Sequence, residues 1–202
     1  MPYSINQNID KYALCLALTN FGFRLIMMIV HLFSIDLPPA LTRSVYAFVD
    51  FTYLVLLCYL TYILKSAQNK KSVIFAFIFY ISISLINILH NTFTKRVAFT
   101  NGTIVLGSIA FISTIFLFTQ VFRIKKSSIK LLCILMVSVI FFMLIVNIIR
   151  PIVLASMEIS VSENIYYYLN ISNNILYLFI SAFFVAILST LHRTLFKQNE
   201  IL

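Results

Sequence analysis

The sequence predicts an all-α fold, a polytopic integral membrane protein with a bundle of six transmembrane helices, and three observations support this. Of 202 residues, 61% are apolar and only 10% are charged, with a mean hydropathy of +1.00, whereas a soluble domain carries about a quarter of its residues as charges. The apolar residues fall into six runs near the ~20 residues that cross a ~30 Å hydrocarbon layer. Helix breakers are scarce: the chain has three glycines and four prolines, and Pro2, Pro38, Pro39 and Pro151 all fall outside the runs.

The first run, about residues 12–35, is too long for a signal-peptide core, holds Arg24 and has no small-residue cleavage site behind it, so it is expected to remain in the mature chain. A short segment containing Pro38-Pro39 leads to the second run, about 45–64, and its shortness makes the first two helices antiparallel neighbours. The third, about 73–89, is entered from Lys70-Lys71-Ser72-Val73-Ile74, and the fifth, about 131–149, from the similar Lys125-Lys126-Ser127-Ser128-Ile129. Both motifs read as basic anchors before an apolar helix, and a duplicated two-helix unit is the other reading. Between them lies the fourth run, about 103–122. The sixth, about 165–191, is longest, and Tyr166, Tyr167 and Tyr168 mark its aqueous interface in a chain without tryptophan.

The net charge of +9 suggests nucleic acid in a soluble protein, but here loop asymmetry explains it and no nucleic acid is expected. With the N-terminus inside, Lys11, Lys65, Lys70, Lys71, Arg123, Lys125, Lys126, Lys130, Arg193 and Lys197 are cytoplasmic. Arg43, Lys95, Arg96 and Arg150 then lie outside, ten against four with Arg24 in the membrane. Six spans put both termini in the cytoplasm, in a plasma or inner membrane. Cys15, Cys58 and Cys133 each lie within an apolar run and have no CxxC spacing, which implies neither a disulfide framework nor a metal site.

Charged residues inside a span cost about 2.5–3.5 kcal/mol on insertion scales, so each needs a partner or a purpose. Arg24 and Asp50 lie roughly 16 and 9 Å below the outer ends of the first two runs at 1.5 Å per residue, a gap that an arginine side chain bridges. They are expected to form an intramembrane ion pair, either as a clamp between helices or as part of a ligand site. Further polar residues recur at spacings of three and four and favour the outer half. Asn20, Arg24 and His31 share one stripe, and Tyr46, Asp50 and Tyr53 a second. Ser84, Asn87 and Asn91 form a third, with His90 beside it. Asn147 and Arg150 follow on the fifth run, and Asn170, Asn173, Asn174, Tyr177 and Ser181 on the sixth. Such stripes avoid lipid and should converge in the bundle. There they would line an outward-facing pocket or simply hydrogen-bond helix to helix.

Enzymatic motifs such as HExxH, GxSxG and phosphate-binding glycine loops are missing, so the chain is expected not to be an enzyme. His31 and His90 could together hold a haem or metal in a redox or lipid-modifying enzyme; otherwise no cofactor is expected.

Six unbroken spans, cytoplasmic termini, an outward polar pocket and Ala13-x-x-x-Ala17 on the first helix together resemble the substrate-binding subunits of energy-coupling-factor vitamin transporters. The resemblance implies that Ala13 and Ala17 contact a partner coupling subunit. The leading expectation is therefore a multi-pass membrane protein that binds a small polar molecule for uptake or sensing. Its alternative is a non-catalytic accessory subunit of a membrane complex.

Overall fold

The computed structural model describes residues 7–33, 35–67, 69–93, 101–125, 129–155 and 159–199. These fold into six α-helices: α1 (Gln7–Leu32), α2 (Pro39–Ser66), α3 (Lys71–Phe93), α4 (Asn101–Val121), α5 (Lys130–Ala155) and α6 (Ile159–Asn199). No strand occurs among the described residues. Helices α1, α2, α3, α5 and α6 are long and apolar enough to cross a membrane. The apolar stretch of α4, Val105–Val121, is shorter and rises roughly 26 Å.

The helices outrun the apolar runs, because a helix persists into water where propensity allows even after hydropathy is lost. Helix α6 has 41 residues and is roughly 60 Å long. Helix α5 continues through Arg150 and Pro151 to Ala155, whereas the sequence reading ends that span before Pro151. Proline removes one backbone donor, and close to a helix end this interrupts little of the ladder.

Local chemistry sets the turns. Pro38 is extended (φ −53°, ψ 132°) and places Pro39 in the first turn of α2, where a missing N–H costs nothing. At the other end of α2, the Asn69 side-chain amide donates to the carbonyl of Leu64 (2.9 Å), while its Oδ1 accepts the backbone N–H of Lys125 (2.7 Å). One asparagine thus satisfies an orphan helix carbonyl and joins the α2–α3 turn to the segment after α4.

Each helix packs against its neighbours in the chain, and α6 closes the ring against α1 through the most extensive interface. Asp10, Asn20 and Arg24, ascending α1, meet His192, Ser181 and Tyr177, descending α6, so the pair is antiparallel. Lys11, Lys65, Lys70, Lys71, Arg123, Lys125, Lys130 and Arg193 all fall at one end, the basic end, and Arg43 lies at the far end.

Packing differs between these ends. The buried apolar core runs from Leu54 to Leu64 on α2, Val73 to Phe77 on α3, Leu117 to Ile124 on α4 and beyond, Ile129 to Ile140 on α5 and Ile180 to Leu188 on α6. All of these lie in the basic half or at mid-depth. In the far half, the buried apolar side chains among the described residues are Met27, Val49 and Ile83. Bulky groups such as Phe77, Leu117, Met136 and Phe184 are fully buried towards the basic end, and among the described residues no fully buried aromatic side chain lies in the other half.

Phe184 is 1% exposed, whereas Phe51 is 62% exposed on the outer surface of α2. Phe184→Ala should cost about 3–5 kcal/mol and Phe51→Ala under about 1 kcal/mol, measured by denaturant unfolding in mixed micelles.

Candidate functional site

Helix α1 organises the polar interior. Asp10, Ala13, Ala17, Asn20, Arg24 and Met27 are buried at alternating spacings of three and four, and half-buried His31 completes the series. That spacing keeps one stripe against neighbouring helices along the whole length of α1. Ala13 and Ala17 belong to the chain's own core, so the close approach they permit is used inside this bundle, and neither offers a surface to a partner helix. The transporter resemblance implies contact with a partner subunit at these two residues, which here are 8% and 0% exposed.

Three polar levels follow along the seam from mid-depth outwards. At the deepest, the Asn20 amide donates to the carbonyl of Val49 (2.8 Å) and to Thr52 Oγ1 (2.6 Å), and Asn20 Oδ1 accepts from Ser181 Oγ (2.7 Å). Both ends of a buried amide are thereby satisfied by α2 and α6. One turn outwards, Arg24 Nη2 donates to Asp50 Oδ1 at 2.7 Å, and the guanidinium carbon sits 4.3 Å from the centre of the Tyr177 ring. Arg24 is 6% exposed and Asp50 36%. Towards the far end, His31 Nε2 and the Tyr46 hydroxyl are 2.7 Å apart with their rings stacked.

The remaining elements complete this region. Tyr53 and Tyr80 share a hydrogen bond between hydroxyls (3.3 Å), and the Tyr53 ring meets Phe184 edge-on. Arg24, Asp50 and the four tyrosines Tyr46, Tyr53, Tyr80 and Tyr177 therefore form one cluster drawn from α1, α2, α3 and α6. Asn173 donates to Asn147 Oδ1 across α5 and α6 (2.9 Å), and its own Oδ1 is buried without a partner.

Other sequence-derived residues are less central. Asn87, His90 and Asn174 are half-buried, and Asn147 is exposed. The side chains of Asn91, Arg150 and Asn170 lie outside the described residues. His31 spends its Nε2 on Tyr46, and no group of three or more His, Cys, Asp or Glu residues suited to a metal occurs among the described residues.

A second polar centre lies at the basic end. Asp10, 1% exposed, accepts from the Tyr59 hydroxyl (3.2 Å) and pairs with His192 Nδ1 (2.8 Å), which ties α1 to both α2 and α6. From sequence, His192 reads as an inner flank beside Arg193, and Asp10 is not singled out. The available signal was the stripe: Asp10 precedes Ala13 by three residues and so continues the seam. Tyr80 was also missed, because an aromatic in an apolar run reads as core until Tyr53 is found opposite it.

No protein-family model matches the chain, and no curated protein or solved structure is significantly similar to it.

Removing Asp50 should cost about 3 kcal/mol, since Arg24 at 6% exposure is left charged in a low-dielectric interior, and removing Arg24 should cost less, since Asp50 is 36% exposed. The exchange of Arg24→Asp with Asp50→Arg should recover a large part of that loss in a double-mutant cycle of unfolding midpoints; additive losses would mean the two charges are not coupled. At the basic end, His192→Ala should lower stability by about 1–3 kcal/mol by leaving Asp10 short of a partner, again read from the unfolding midpoint.

Proposed function

We propose that this chain is a six-span membrane protein with both termini in the cytoplasm, whose outer half opens outwards and binds a small polar molecule for uptake or sensing. The basic end faces the cytoplasm in this reading, because Lys and Arg accumulate on that side. With 21 residues, α4 has the length for a sixth span. A plasma or inner membrane suits the orientation.

The observation that carries the reading is the uneven packing along the bundle axis. On α2, the inward stripe passes from half-buried Tyr46, Asp50 and Tyr53 to fully buried Leu57; on α6, from half-buried Asn173, Asn174 and Tyr177 to buried Ile180, Ser181 and Phe184. Exposure thus falls from the far end towards a sealed centre, which is the form of a vestibule with a floor. Apolar walls with a few convergent polar groups are the usual make-up of a small-molecule site. No helix is broken at mid-depth, so transport through this chain requires a partner subunit or a rigid-body movement of helices.

A second reading, an accessory subunit of a membrane complex, draws on the internal bonding of Asn20, His31 and Tyr46. Polar groups bonded to one another serve as interhelical contacts without any ligand.

The two readings separate by accessibility and by ligand. In a background with Cys15, Cys58 and Cys133 replaced, Asn87→Cys and Asn174→Cys should react with a membrane-impermeant maleimide from outside, and Leu60→Cys should not. The purified protein should also gain thermal stability with at least one compound of a metabolite panel. Unlabelled outer positions and an unchanged melting point across the panel would leave the accessory reading.

A further inference from the structure

The chemistry left unspent in the vestibule indicates what class of molecule it takes. Resting on the open-vestibule reading, we propose that the site binds a small organic cation, a primary amine or quaternary ammonium, whose positive charge docks on the free oxygen of Asp50 among tyrosine rings.

The two charges of the central pair are not equally available. Arg24 is 6% exposed, one Nη is committed to Asp50, and the face of Tyr177 covers the guanidinium. The guanidinium keeps further N–H donors, but at 6% exposure they are less accessible than the Asp50 carboxylate. Asp50 is 36% exposed and uses only Oδ1; no protein donor engages Oδ2 among the described residues. Its exposure does not point to lipid. Asp50 shares its stripe with Tyr46, Tyr53 and buried Leu57, while Phe48, Phe51 and Val55 occupy the opposite, outward face of α2.

The second unspent group has the same sense. Asn173 Oδ1, one helical turn outwards from Tyr177, is buried and accepts nothing. A hydroxyl or amide could serve as donor or acceptor, but a carboxylate oxygen and an amide oxygen only accept. A molecule that completes this site therefore brings donors or positive charge. The surrounding rings favour charge as well, since the negative face of an aromatic attracts a cation, and more strongly where water is excluded. Arg24 stays bonded to Oδ1 and holds the carboxylate in place.

The test uses the full-length purified protein and three probes of one shape: benzylamine, benzyl alcohol and benzoate, at constant ionic strength. The melting point should rise saturably with benzylamine, with affinity about tenfold or more above the other two, as loss of one charge-assisted contact implies. Asp50→Asn should abolish that preference. Should that variant fail to fold with Arg24 unpaired, the exchange of Arg24→Asp with Asp50→Arg carries the test, because it moves the accessible charge to a cation and should reverse the preference to benzoate. A preference for benzoate in the native protein, no saturable response to benzylamine, or an exchange variant that still prefers benzylamine would each overturn the proposal. If outer cysteines label and a panel compound binds while benzylamine does not, only the ligand class falls; if labelling and the whole panel fail together, the vestibule itself falls.

Discussion

The structure depends on one constraint: a helix that carries Asp10, Asn20, Arg24 and His31 on a single stripe cannot show that stripe to hydrocarbon. Polar groups in the bilayer core find partners inside the protein or pay several kcal/mol each. Helix α1 meets this by being enclosed, with α2 on one side and α6 on the other, and each polar residue of its seam is bonded to one or both. The last helix must therefore return to the first, and the ring closes. In hydrocarbon, apolar side chains gain little by choosing protein over lipid, so this polar seam, more than the 61% of apolar residues, sets which helices are neighbours.

Closure of the ring produces two different halves. Near the basic end the small side chains of Ala13 and Ala17 let α1 approach closely, and large residues such as Phe77, Met136 and Phe184 fill the middle. Towards the other end the stripes carry tyrosine, asparagine and aspartate, whose polar ends must be bonded or hydrated and cannot fill a dry centre. Asp10 with Tyr59 and His192 interrupts the apolar half near its end, and Thr61 and Gln120 are buried polar residues in the same half. Stability and candidate function are thus divided along the axis, with a floor that holds the bundle and a polar region that the floor supports.

Much of the arrangement was legible residue by residue. Arg24 and Asp50 could be matched from their depths alone because a short connection fixes two helices as antiparallel neighbours, leaving little freedom in register. The spacing of Asn20, Arg24 and His31 gave the inward face of α1 for the same reason of helical period. By contrast, Tyr80 and His192 carried no local signal that set them apart from core and flank. Tyr177 was readable as part of a polar stripe, but its placement over the Arg24 guanidinium was not. Asn69 is an ordinary turn residue in sequence, and its bond to Lys125 links segments that periodicity cannot relate. The fifth apolar run ends before Pro151, whereas α5 continues to Ala155, because hydropathy marks the apolar stretch and not the helix end.

Sequence by itself determined that the chain is helical and built for a membrane, where its charges gather, and which residues of each helix face inwards, because hydropathy and a period of 3.6 are properties of single segments. Tertiary structure alone decided that α6 closes against α1, that the alanine pair is buried within the bundle, and that Arg24 is covered while Asp50 is partly exposed. Those outcomes depend on how stripes from four helices meet, and neighbours distant in sequence leave no periodic trace in any one of them.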